Sequence, residues 1–155
     1  MNEQLPHIVE ESIKLELNVA KLYKFYSTAF PENYNFWKEL SLEEKTHANL
    51  IENLRTVLLP LDKFPSEILS SSLQDLIEIN DKLLSLLKEH NNKPPSKESA
   101  FNFALSFEES AGEIHFQHAM NKWYSTEAIK VFQRFVKDDK DHGERIRSYM
   151  KYLRI

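Results

Sequence analysis

The stretch 128-AIKVFQRFVKDDKDHGERIRSYMKYL-153 decides the fold. Stepping three and then four residues along it gives Ala128, Phe132, Phe135, Asp139, His142, Ile146, Tyr149 and Leu153. That spacing is the inward stripe of a bundle helix, apolar except at its middle. There an acid and a histidine stand three apart on one face. A carboxylate and an imidazole in an apolar stripe cost several kcal/mol each unless something pairs with them. The stripe therefore predicts partners elsewhere in the chain.

The same stripe occurs earlier as Trp37, Leu40, Glu44, His47, Ile51, Leu54 and Leu58, again with acid-x-x-His at its centre. His47 and His142 lie 95 positions apart. A helix-like stretch with one inward acid precedes each motif. The first reads Val9, Glu16, Val19, Tyr23, Tyr26, Phe30; the second reads Leu105, Glu109, Gly112, Phe116, Ala119, Trp123. Glu16 and Glu109 are 93 positions apart, so the whole acid, acid-x-x-His unit repeats. Each leading acid has an aromatic seven residues on, Tyr23 and Phe116.

At 155 residues the chain is expected to form one domain with a substantial core. Two glycines and a rich supply of Leu, Lys, Glu, Ile and Ala favour helix. A net charge of −4, no basic tract and no long apolar run argue against nucleic-acid binding and a membrane span. Met1 to His7 is too polar for a signal peptide. The absence of cysteine excludes disulfides, thiolate metal ligands and redox thiols. A cytoplasmic location is the expectation.

Prolines 6, 31, 60, 65, 94 and 95 all avoid the four stripes, as helix-end markers do. They divide the chain into helices over about 6–30, 33–59, 96–123 and 126–153, with a further helix over 66–90. The last carries Leu69, Leu73, Leu76, Ile77, Leu83, Leu84 and Leu87 on one face. About 25 residues at ~1.5 Å each span roughly 37 Å, enough to return the chain to the starting end of the bundle. The expected fold is all-α, a four-helix bundle with one long crossover that contains an extra helix, the ferritin-like arrangement.

Facing the four stripes together converges six groups: Glu16, Glu44, His47, Glu109, Asp139 and His142. One carboxylate from each of two helices, with acid-x-x-His from each of the others, is the plan of a two-metal carboxylate site. Four buried carboxylates are neutralised by two divalent cations and repel one another without them. Mostly oxygen donors with one imidazole per metal suit iron or manganese, and affinity order also allows zinc.

The chain resembles the rubrerythrin-like branch of the ferritin-like di-iron carboxylate proteins. The matching residues are Glu16 with Ala20 and Tyr23, Glu44-Lys-Thr-His47-Ala48, Glu109 with Gly112 and Phe116, and Asp139-Lys-Asp-His142. The resemblance implies two iron ions per chain. Glu44 and Asp139 would bridge them, Glu16 and His47 would bind one terminally, and Glu109 and His142 the other. It implies reduction of peroxide or O2 with oxidation of Fe(II), as a peroxidase or ferroxidase. Three departures stand out. Asp139 replaces the usual glutamate and is one methylene shorter. Gly112 stands where some relatives carry a further acid. No cysteine is available for a rubredoxin domain, so an external electron donor is expected.

Plainer readings compete at several positions. Ser41 to Glu44 can be a capping box that starts a new helix and leaves Glu44 near the surface. Asp139 sits among Asp138, Lys140 and Asp141, as on a solvated face. Glu16 lies between Leu15 and Leu17. Glu108 competes with Glu109, the small residue three on and the aromatic seven on favouring Glu109. Tyr23 and Tyr26 read as core packing, although a tyrosine near a redox metal can carry an electron. His115 and His118 flank the stripe and read as surface residues. The extra helix covers the bundle or contributes to a homodimer face. Two rival functions remain: a metal-binding bundle without turnover, and a helical interaction protein whose polar cluster is a buried salt-bridge network.

Overall fold

Prolines and serines set the helix ends. In the computed structural model, which describes residues 3–110, 130 and 142–155, α1 spans Leu5–Ala29 with Pro6 in its first turn, where a missing N–H costs nothing. Pro31–Asn33 is a single 3-10 turn, and α2 follows over Tyr34–Leu58. Helix α3 spans Leu73–Asn92, α4 Lys97–Glu108 and α5 His142–Leu153. The described residues are all-helical, with no strand. None of their helices is long and apolar enough to cross a membrane.

Two boundaries differ from the sequence expectation. The crossover helix begins at Leu73 rather than near residue 66. Ser66–Ile68 makes one 3-10 turn, and Ser72 then takes an extended backbone and accepts the Asp75 N–H at 3.2 Å. A serine that satisfies a first-turn donor starts a helix where it stands. Helix α4 ends at Glu108 instead of running unbroken to about 123. Glu109 leaves helical geometry at φ −88°, ψ 4°, and the Ser110 N–H bonds back to the Phe107 carbonyl at 3.0 Å. Serine competes with the helix for such bonds. The remainder of the expected 96–123 helix, the first half of the 126–153 helix, and the sequence-derived positions Gly112, His115, Phe116, His118 and Asp139 lie outside the described residues.

Contacts fix the helix directions. Ser41 Oγ donates to the Ala20 carbonyl at 2.8 Å, and Tyr26 lies against Trp37, so α1 and α2 run antiparallel. Asn80 meets Asn18 while His90 meets Tyr26, so α3 runs parallel to α1. Phe101 packs on Phe36 and Trp37, and Glu108 reaches Tyr23, so α4 runs parallel to α2. Tyr149 stacks on Phe36 while His142 meets Glu44, which sets α5 antiparallel to α2. The crossover through α3 thus carries the chain back along the bundle before α4 begins.

Trp37, Tyr23, Tyr26, Phe101, Leu22, Leu40 and Ile51 are fully buried where α1, α2 and α4 meet. Each large apolar side chain removed from water contributes about 1.5–3 kcal/mol. Leu76, Leu83 and Leu86 bury the inner face of α3. The register of α3 on α1 is set by Asn80. It accepts from Asn18 Nδ2 at 3.2 Å and donates to the Glu11 carbonyl and Glu11 Oε2, each at 2.9 Å. Replacing Asn80 by alanine leaves Asn18 and Glu11 groups without that partner. The Asn80→Ala variant is expected to lose about 1–3 kcal/mol in urea unfolding.

Candidate metal centre

The polar residues at the bundle centre arrive from four helices. Glu16 comes from the inner face of α1, Glu44 and His47 from α2, Glu108 from the last turn of α4, and His142 from the first turn of α5. Glu44, His47 and His142 are wholly buried, and Glu16 and Glu108 nearly so. Ser41 lies inside α2 rather than at a helix start. Glu44 therefore sits mid-helix and points inward.

Donor atoms of Glu16, Glu44 and His47 lie within 4.8 Å of one another, and so do those of Glu44, Glu108 and His142. Glu44 belongs to both groups. Ligands about 2.0–2.2 Å from one cation are at most about 4.4 Å apart, so each trio is close to a coordination shell. His47 Nδ1 is 3.6 Å from Glu44 Oε2 and 3.7 Å from Glu16 Oε2. The two imidazole rings lie nearly parallel, their centroids 5.5 Å apart.

Four of the six sequence-derived residues, Glu16, Glu44, His47 and His142, are brought together. Asp139 lies outside the described residues. Glu109 is not in the cluster: half exposed, it forms an ion pair with Arg147 at 2.8 Å. Its place is taken by Glu108, because the buried stripe of α4 is Ala100, Phe101, Ala104, Phe107 and Glu108. That stripe was visible in the sequence one turn before Leu105, whereas Gly112 and Phe116 pointed to the neighbouring register. Tyr23 donates its hydroxyl proton to Glu108 Oε1 and anchors that carboxylate.

Glu43 is a further contributor that the sequence pattern did not single out. His142 presents Nδ1 to Glu44 Oε1 at 2.6 Å and to Glu108 Oε1 at 3.4 Å. Its other nitrogen, Nε2, faces Glu43 Oε2 at 3.1 Å, and Arg145 Nη1 holds the same oxygen at 2.6 Å. A carboxylate behind a ligating histidine fixes its tautomer and ring orientation. Here it leaves Nδ1 directed at the centre.

Without a cation, the charge at the centre is balanced by protons. Burial, followed by the neighbouring Glu44 charge, pushes the Glu16 and Glu108 carboxyls above the usual range. Burial also opposes the charge on Glu44, but the His142 charge and its hydrogen bond to Oε1 outweigh it and hold Glu44 well below that range. Burial disfavours protonated His142, yet the Glu44 and Glu108 charges raise it well above the ordinary imidazole value. Glu16 Oε2, Glu44 Oε2 and Glu108 Oε2 are buried and accept no hydrogen bond among the described residues. Three buried carboxylate oxygens without a hydrogen-bond partner among the described residues, on side chains that come together in two overlapping groups, fit a cation donor set. No protein-family model, no curated protein and no solved structure matches the chain.

These shifts have a signed consequence for stability. Glu16, Glu108 and His142 are raised, so the folded metal-free protein binds more protons than the unfolded chain above pH 4.5 for the acids and 6.5 for the histidine. Stability contributed by such groups is lost as pH rises. Glu44 acts oppositely, but only below about pH 4.5, its unfolded value. His90, held low, is neutral in both states above 6.5. The urea midpoint of the metal-free protein should therefore fall as pH rises above the ordinary imidazole value of 6.5. Metal loading should remove the fall, because the cation replaces the protons.

Proposed function

We propose that the chain is a di-iron carboxylate protein of the ferritin-like, rubrerythrin-like type that reduces peroxide or O2 while oxidising Fe(II). The observation that carries this reading is the pair of three-residue groups sharing Glu44. In this reading Glu44 lies between two metals. Glu16 and His47 would hold one of them, and Glu108 and His142 the other. The parallel course of α2 and α4, joined through α3, supports the ferritin-like topology.

A bound Fe(II) pair supplies electrons to an oxygen species. The chain's own residues prepare for that chemistry. Glu43 and Arg145 orient His142 from behind, and Tyr23 steadies Glu108. Leu40, Ile51, Phe101 and Ile146 belong to the same buried core, and in a dry site charges interact strongly and reactive species are shielded.

A salt-bridge network alone accounts for the contact between His142 and Glu44. It does not account for three buried carboxylate oxygens without hydrogen-bond partners among the described residues. Such groups cost roughly 1–3 kcal/mol each, more when charged.

Anaerobic Fe(II) titration, read by elemental analysis, is expected to give two irons per chain. Glu108→Ala should reduce this to one or none and Glu109→Ala should leave it at two. Peroxide added to the loaded protein should produce a rapid change in the visible spectrum. One metal or none in the unaltered protein would remove the di-iron reading. A single bound zinc with no spectral change would favour metal binding without turnover.

A further inference from the structure

The metal ligands leave unexplained a run of buried aromatics that leads away from them. Tyr23, hydrogen-bonded to Glu108, lies against Trp37 with ring centroids 5.5 Å apart. Trp37 lies against Tyr26 at 5.0 Å. The Tyr26 hydroxyl is 2.8 Å from Nε2 of His90. All three aromatic side chains are fully buried. His90 then stacks with Phe25 at 5.6 Å and meets the edge of Phe103, which reaches solvent, at 5.5 Å. The run thus joins the centre to the outside of the bundle through α1, α2 and α3.

Core packing requires apolar volume, and phenylalanine and leucine supply that without polar atoms. This run instead uses the side chains most readily oxidised by one electron, at van der Waals separation. Its polar atoms are also differentiated. Trp37 Nε1 has no hydrogen-bond partner among the described residues, so none of them takes the proton of an oxidised indole, which passes the vacancy on. Tyr26 has a base within proton-transfer distance. Burial holds His90 below the usual imidazole range, which keeps Nε2 able to accept.

We infer that Tyr23, Trp37, Tyr26 and His90 form an electron and proton relay that delivers a reducing equivalent from the Phe25 and Phe103 side of the bundle to the carboxylate–histidine centre. The inference rests on the di-iron reading for its oxidant, peroxide. Peroxide takes two electrons and two protons to become two waters. When only one Fe(II) is available it gives one electron, and Tyr26 gives the other through Trp37 and Tyr23. The Tyr26 phenolic proton passes to His90 Nε2, leaving a neutral tyrosyl radical beside an imidazolium. Solvent supplies the two protons taken up in the waters. A one-electron donor in solution, of the ascorbate class, returns an electron to Tyr26, and His90 returns the proton.

Freeze-quench electron paramagnetic resonance tests this in two arms on the full chain. In one, protein loaded with one Fe(II) per chain is mixed with hydrogen peroxide. In the other, metal-free protein is oxidised by a flash-generated ruthenium(III) complex, which needs no iron. Both arms should give a tyrosyl radical that Tyr26→Phe abolishes, that His90→Leu reduces to a minor fraction, and that Tyr152→Phe, at an exposed ring, leaves unchanged. Ascorbate should quench it. Circular dichroism confirms that each variant keeps its helices, and Tyr26→Phe keeps the ring that packs on Trp37. A radical unaffected by Tyr26→Phe, or none in either arm, overturns the relay. A Tyr26 radical in the flash arm from protein that binds no iron supports the relay and overturns the di-iron reading. The same radical absent from iron-bound protein after peroxide overturns the link between relay and centre.

Discussion

Three carboxylates and two imidazoles are buried together among apolar helix faces, and the rest of the structure answers to that constraint. Glu16, Glu44 and Glu108 cannot all ionise in so dry a space without compensation. The metal-free protein compensates with protons: burial and the Glu44 charge keep Glu16 and Glu108 high, and His142 remains charged beside Glu44. It compensates incompletely, since one oxygen of each carboxylate has no hydrogen-bond partner among the described residues. The arrangement is held by the apolar packing around it, with Trp37, Leu40, Ile51 and Phe101 fixing where α1, α2 and α4 can sit. A fold that keeps such a cluster assembled by itself has the preorganisation that a cation site requires.

Helix direction turns a sequence repeat into a spatial one. Glu16 and Glu108 come from α1 and α4, while Glu44-x-x-His47 comes from α2 and His142 from α5. Because the crossover returns the chain before α4 begins, the second half of the sequence can meet the first half across the bundle centre. Glu44 stands where both sets of donors overlap. The same packing brings Tyr23 and Tyr26 of α1 onto Trp37 of α2 and sets His90 of α3 at the end of the run.

Much of this was legible in the chain itself. Proline positions marked breaks near residues 31, 60 and 94, and the three-four spacing put Glu16, Glu44, His47 and His142 on inward faces. What sequence could not resolve turns on small rotations and on contacts between distant residues. Moving one residue along a helix turns the side chain by about 100°, so choosing between Glu108 and Glu109 required knowing which of two overlapping stripes α4 buries. Phe101 and Ala104 carried that information; Gly112 and Phe116 pointed the other way. The start of α3 falls later than its apolar pattern suggests because Leu69 extends that pattern ahead of the Ser72 cap. Glu43 lies one residue off the three-four stripe of α2, and its contacts with His142 and Arg145 join residues about 100 positions apart.

The central claim is that two cations share Glu44 at the middle of the bundle. Anomalous X-ray scattering from crystals of the iron-loaded protein tests it most directly. The account predicts two iron peaks flanking Glu44, one against Glu16 and His47 and the other against Glu108 and His142. A single peak, or iron bound only at surface carboxylates with the five buried side chains paired among themselves, would contradict it.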